Sequence, residues 1–210
     1  MADASSSKEH ILKRIRKALS NPVPLPFPNS EGKDSLYKPG TEDDAIIFAE
    51  EFTRLQGKFA FCVNEADLQQ QLAALIKEKG WQKIYCTENK YQPLLSGLQM
   101  AHFNDLAESD VSITGCEYLV ARTGSMVMSS AQFSGRTTSV YAPVHICIAY
   151  NSQLVYDVKD ALVFLKEKYK EQFPSFVTFA SGPSRTADIE KTLVTGVHGP
   201  KEVYCFLVED

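Results

Sequence analysis

Apolar and polar positions along this chain recur with helical and strand periods. In residues 7–19, Ser6 stands three residues ahead of Glu9, a capping-box pair. Ile11, Leu12, Ile15 and Leu19 then share one helical face, and Lys13, Arg14, Arg16 and Lys17 take the remainder. The pattern predicts a short amphipathic helix with a basic face. That face is open to two readings: docking on an acidic partner or membrane surface, or solvation of a helix packed on its own domain or a sister subunit. Asn21 to Pro28 alternate prolines with Val23, Leu25 and Phe27, which favours a semi-rigid polyproline II strap. Residues 29–40 read as loop. Residues 1–40 are therefore expected to form an N-terminal helix and proline-rich arm, suited to exchange between subunits of a homo-oligomer. Residues 41–210 form the body.

From residue 41 the periods alternate. Residues 43–56 predict a helix and Lys58–Val63 a strand. Asn64 can cap a helix running to Lys79, with Leu68, Leu72, Leu75 and Ile76 at helical spacing and Gly80 at its C-cap. Lys83–Cys86 predicts a short strand, followed by a brief helix near 88–95. Such β-α-β-α alternation implies a parallel sheet under helices. Ile113–Ala121 and Ser125–Ser130 flank the turn residues Thr123-Gly124, which predicts a β-hairpin inserted in the sheet order. Val144–Tyr150 reads as a strand and residues 157–171 as a helix. Phe176–Ala180 and Val203–Val208 are near-continuous apolar runs, as strands buried on both faces of a parallel sheet require. The last of these is expected inside the sheet.

Composition narrows the function classes. With 44% hydrophobic and 23% charged residues in 210, the body suits one α/β domain with a sizeable core. A net charge of −4 supplies no global basic field for nucleic acid. The five cysteines are dispersed, no two of them as C-x-x-C, so reduced buried thiols are expected and not an iron–sulfur cluster held by this chain. No secretory signal pattern and no apolar run long enough to span a bilayer is visible, which points to the cytoplasm. The four histidines lack metal-ligand spacing, and Walker, dinucleotide and nucleophile-elbow patterns are absent. Neither a metal nor a cofactor is expected.

Three segments carry candidate chemistry. Ser181-Gly182-Pro183-Ser184-Arg185-Thr186 follows an apolar strand. Gly182 permits a sharp turn, Ser184 and Thr186 offer hydroxyls, and Arg185 offers a guanidinium fork for carboxylate or phosphate. A helical turn beginning near Ser184 would add free N–H groups. Capping by Ser184 or Thr186, with Arg185 paired to Asp188 or Glu190, is the structural alternative. Gly196-Val197-His198-Gly199-Pro200 places His198 between glycines, either as a proton carrier or as a loop fastener. Glu190 is the other acid–base candidate. Arg122-Thr123-Gly124-Ser125 and Ser134-Gly135-Arg136-Thr137-Thr138-Ser139 each set arginine beside glycine and hydroxyls. Thr123, Gly124 and Arg136 thereby become anion-site candidates, with solvated loops as the alternative.

These blocks, with Ile113-Thr114-Gly115-Cys116-Glu117-Tyr118 and the long run Ser181 to Glu190 with Gly196 to Pro200, resemble the LUD-domain family, which includes LutC/YkgG-type lactate-utilisation proteins. The similarity extends over about residues 43–208. It implies a Rossmann-like α/β/α sandwich of the NagB/RpiA/CoA-transferase-like kind. It also implies a part in bacterial oxidation of L-lactate to pyruvate beside two iron–sulfur partner proteins, which would hold the redox centres. The chain is then a non-redox subunit or assembly factor whose Ser184–Thr186 loop recognises a carboxylate, of substrate or of a partner side chain. The alternative is a stand-alone enzyme on a phosphorylated or carboxylated small molecule. The family tends to carry an acidic residue before the Thr-Gly turn, where this chain has Arg122.

Overall fold

The computed structural model describes residues 4–20, 42–98, 103–187, 193–196 and 198–210. It divides into two compact units, Met1–Lys38 and Pro39–Asp210. In the first, helix α1 spans Ala4–Leu19, starting before the Ser6–Glu9 pair that was expected to cap it. The proline strap lies outside the described residues.

Local chemistry sets the helix ends of the second unit. Helix α2 (Asp44–Arg54) begins where the Asp43 side chain accepts the Ala45 N–H. Strand β1 is Lys58–Cys62. Helix α3 (Glu65–Lys79) is capped by Asn64, whose Oδ1 accepts the Asp67 N–H at 2.9 Å, and ends at left-handed Gly80. Strand β2 (Ile84–Tyr85) leads through a 3₁₀ turn, Asn89–Tyr91, into α4 (Gln92–Gly97). Then follow β3 (Val111–Thr114), β4 (Tyr118–Val120), β5 (Ser125–Ser129) and the short α5 (Thr138–Tyr141). Strands β6 (Val144–Tyr150) and β7 (Leu154–Val155) precede α6 (Val158–Tyr169), which opens with a reciprocal Asp157–Asp160 capping box. Strands β8 (Val177–Ala180), β9 (Arg185–Ala187), β10 (Leu193–Thr195) and β11 (Glu202–Val208) complete the chain.

The main sheet is parallel, in the order β1-β11-β6-β3-β2. Alternate side chains of β6 and β11 feed opposite cores. Val144, Ile146, Ile148, Tyr204, Phe206 and Val208 meet Leu68, Leu72 and Ile76 of α3 and Leu95 of α4. Cys147, Ala149, Val203, Cys205 and Leu207 meet Phe48 and Phe52 of α2 and the inner face of a second sheet. That second sheet, β7-β4-β5-β8, carries α6 on its other side through Val120, Val127, Ala161 and Leu165. All five cysteines are buried free thiols.

The α/β class and the interior place of the final strand are as the sequence suggests. Two details differ. Ile113 and Thr114 belong to β3 of the parallel sheet, and after Gly115–Cys116 the chain restarts as β4 in the second sheet. The β4–β5 hairpin therefore lies beside the parallel sheet and not within its order. Strand β8 pairs antiparallel with β5, register Met126↔Ala180 to Ser129↔Val177, and is not a parallel-sheet strand. Its apolar run is half-buried on two faces because Val177 and Phe179 meet the α6 core while Ala180 meets the α2 core.

Candidate functional site

The parallel sheet has a switch point. From β2 the chain leaves toward the face bearing α3 and α4, and from β3 it leaves toward the second sheet. Diverging connections of this kind open a crevice beyond the carboxyl ends of the strands, the usual ligand position in open α/β sheets. Here the crevice has a volume of about 380 Å³. Glu88 and Lys90 wall it from the β2 side, Cys116 and Glu117 from β3, and Gln132 and Phe133 from the loop after β5. Gln153, Lys168 and Tyr169 close it.

Two buried carboxylates organise it. Glu88 follows β2, is 5% exposed, and accepts the Gly115 N–H at 2.8 Å on Oε1. Its Oε2 lies 3.4 Å from Lys90 Nζ. A side chain at Gly115 would come within 2.7 Å of Lys90 Nζ and 2.9 Å of the Tyr91 hydroxyl, so it would push both groups away from β3. Glu117 is 3% exposed and accepts from Ser129 Oγ (2.5 Å), Tyr169 OH (2.7 Å) and Lys168 Nζ (2.7 Å). Burial raises the Glu117 carboxyl, but the donors Lys168, Ser129 and Tyr169 outweigh it and hold it below the ordinary range. Burial lowers the Lys168 ammonium, and the Glu117 hydrogen bond reverses this and raises it. Burial, then the bond to Glu117, raises the Tyr169 phenol. The carboxylate thus stays charged, the lysine stays cationic and the phenol keeps its proton.

The two lysine side chains are about half exposed, 50% for Lys90 and 53% for Lys168, while their carboxylate partners are sealed. Cationic donors therefore face the crevice from anchored positions, which is the requirement for binding a small anion. Cys116 also lines it, but its hydrogen bond with Cys147 and its burial push the thiol well above its ordinary value, so it is not a ready nucleophile.

The residues singled out by sequence lie mostly elsewhere. Arg185 and Thr186 are in β9, paired with Val194 and Thr195 of β10, so no helix starts at Ser184. The expected anion-binding helix N-terminus is replaced by a β-hairpin: the Ser184 N–H donates to Pro200 O at 2.9 Å and Ser184 O accepts from Gly196 N–H at 3.0 Å. Lys201 N–H meets Pro143 O, which puts this hairpin at the amino edge of β6 and β11, opposite the crevice. Arg185 is exposed there. His198 is exposed too, and lines a cavity of about 400 Å³ with Val140, Tyr141, Gly196 and Gly199. Asp188 and Glu190 lie outside the described residues.

Thr123, Gly124 and Gly182 do converge, against the end of α2. A side chain at Gly124 (φ 55°) would meet Phe52 N at 2.5 Å, and one at Gly182 (φ 98°) would meet Leu55 O at 2.6 Å. Beside them runs a hydroxyl ladder, Thr123–Ser125 at 2.8 Å and Ser125–Ser181 at 2.6 Å. Arg122 pairs with Asp157, the α6 cap, at 2.6 Å. Arg136 lies toward the other end of β8: its guanidinium donates to Ser175 Oγ at 2.6 Å and stacks over Phe176 at 5.6 Å. It shares its loop with Gln132 and Phe133 of the crevice but is separated from Arg185 by the length of β8.

Sequence reasoning passed over Glu88, Lys90, Glu117, Lys168 and Tyr169. One signal was available: Glu117 is an acidic residue between Cys116 and Tyr118, in the short break between the apolar strands β3 and β4.

A layered α/β architecture with its crevice at a switch point defines the fold class. The fold matches the crystal structure of a DUF162 family protein from Deinococcus radiodurans, at 19% identity with a TM-score of 0.61, covering 80% of this chain and 99% of that one. The LUD domain profile matches residues 98–208, and the chain belongs to the LUD domain family. Among curated relatives, lactate utilization protein C of Halalkalibacterium halodurans is 38% identical over 105 residues, 49% of this chain and 46% of that protein. The protein of that name from Shouchella clausii is 37% identical over 103 residues, 49% and 44%. The matched stretch thus spans somewhat under half the length of these relatives. Among the described residues no helix is long and apolar enough to cross a membrane.

Proposed function

We propose that this protein serves bacterial lactate utilisation in the cytoplasm, as a non-redox subunit or assembly factor beside iron–sulfur partner proteins. In this reading the crevice receives a small carboxylic acid, and Arg185 on the amino-edge hairpin meets an acidic side chain of a partner. One observation carries it: a LUD-family fold presents Lys90 and Lys168 to a single crevice, each anchored by a buried carboxylate. The names of the curated relatives support the lactate assignment. The Lys90 and Lys168 ammonium groups, with three N–H donors each, are suited to a carboxylate. Deleting the gene should abolish growth on L-lactate, and a tagged chain should co-purify iron–sulfur proteins. Normal growth on lactate and a clean uncomplexed chain would reject the assignment.

A second reading, a stand-alone enzyme on a carboxylated or phosphorylated small molecule, is favoured by the same crevice, which sets carboxylate, phenol and ammonium side by side. Turnover by the isolated chain, lost in Lys168→Met, would select it over the first.

A further inference from the structure

A second cavity of about 380 Å³ adjoins the crevice, and Lys90 belongs to the walls of both. Its apolar lining that reaches solvent comes from Pro93 and Leu94 of α4, the first exposed and the second half-buried, and its polar lining from Glu65, Gln69 and Tyr150. The ammonium of Lys90 is fixed between the two, 3.4 Å from Glu88 Oε2 and 4.6 Å from the centre of the Tyr91 ring. Tyr91 is itself pinned, its hydroxyl donating to Ile148 O at 3.0 Å. Lys90 is thus common to the linings of the two spaces.

Size argues against a three-carbon acid as the whole ligand. Each cavity is large enough for on the order of ten waters at their liquid volume, and cavities of about 300–1,000 Å³ ordinarily enclose ligands of drug size. An acid the size of lactate would fill a small part of the crevice and leave Pro93 and Leu94 in contact with water.

Resting on the reading of the crevice as an acid-binding site, we propose that the ligand is a longer 2-hydroxy or 2-oxo acid. Its carboxylate lies with Lys90 and Lys168, and its apolar tail passes Lys90 into the second cavity. The tail then covers Pro93 and Leu94, and a polar group at its end can reach Gln69 or Tyr150. Tyr150 holds Glu65 loosely, donating to its Oε1 at 3.3 Å, so this hydroxyl can turn to a ligand at small cost.

The test is isothermal titration of the full chain with L-lactate and the 2-hydroxy acids of four, six and eight carbons. Affinity should rise about three- to four-fold per added methylene, the usual gain for burying one. In Ala66→Trp, where an indole is added at an exposed first-turn position of α3 beside the second cavity, this dependence on length should vanish. Melting temperature checks that the variant is folded. Lactate binding with no gain along the series would overturn the two-cavity ligand and leave the crevice reading intact. So would a rising series that Ala66→Trp does not alter. No binding of any acid would overturn the crevice reading and this inference together.

Discussion

The two edges of the parallel sheet are built on opposite plans. At the carboxyl edge, the carboxylates are buried and satisfied: Glu88 and Glu117 are almost sealed, and Glu117 accepts from Ser129, Lys168 and Tyr169. At the amino edge, Arg185 and His198 stand exposed on a hairpin and a glycine-flanked loop, held by backbone bonds to Pro200 and between Ser184 and Gly196. The first plan fixes geometry in advance, as a small-molecule site requires. The second leaves charge available at the surface, as an encounter with another macromolecule requires. Motif-like residue strings thus mark one edge, while the preorganised electrostatics sit at the other.

The contrast is sharpest in stability. Replacing Glu117 by Leu leaves Lys168, Tyr169 and Ser129 without their common acceptor and should cost about 3–4 kcal/mol in denaturant unfolding. A loss under about 1 kcal/mol would mean that the carboxylate is not an organising centre.

His145 lies between the edges, on the sheet face beneath the second core. It is 1% exposed, 2.8 Å from Thr114 Oγ1, and burial lowers its pKa to about 4. The folded state therefore keeps it neutral where the unfolded chain, with a pKa near ~6.5, protonates. The stability it contributes is complete above pH ~6.5 and falls as the pH drops toward about 4, by about 3 kcal/mol in all. Stability measured from pH 7 to 4 should show this decline, and His145→Gln should flatten it. Unchanged slopes in the variant would place the imidazole in water.

At the amino edge the effects divide. Gly182→Ala should cost about 1–3 kcal/mol, because φ is 98° and Leu55 O stands 2.6 Å from the new carbon. Arg185→Ala should change stability by less than about 0.5 kcal/mol, being exposed, yet weaken co-purification of the proposed iron–sulfur partners. If the glycine is tolerated and the arginine is not, the hairpin is held by its side chains and not by its backbone.

Much of the fold was legible because its signals are local. Asn64 and Gly80 bracket α3 as cap chemistry dictates, and the apolar run Val203–Val208 is buried inside the sheet. The break at Gly115–Cys116 was not legible, because β3 and β4 are both apolar and pattern alone does not assign two strands to two sheets. The crevice was harder still. Glu88, Glu117 and Lys168 come from three distant segments and meet only where the connections after β2 and β3 diverge. Conversely, the strand of hydroxyls and arginine from Ser184 to Thr186 suggested a helix N-terminus, but pairing with β10 takes up its backbone.

The most direct measurement is titration of L-lactate and pyruvate into wild type, Lys90→Met and Arg185→Ala, each checked for fold by circular dichroism. The expected result is binding by wild type and Arg185→Ala at equal affinity, and at least a tenfold loss in Lys90→Met. Binding that survives in Lys90→Met and disappears in Arg185→Ala would move the small-molecule site to the amino edge.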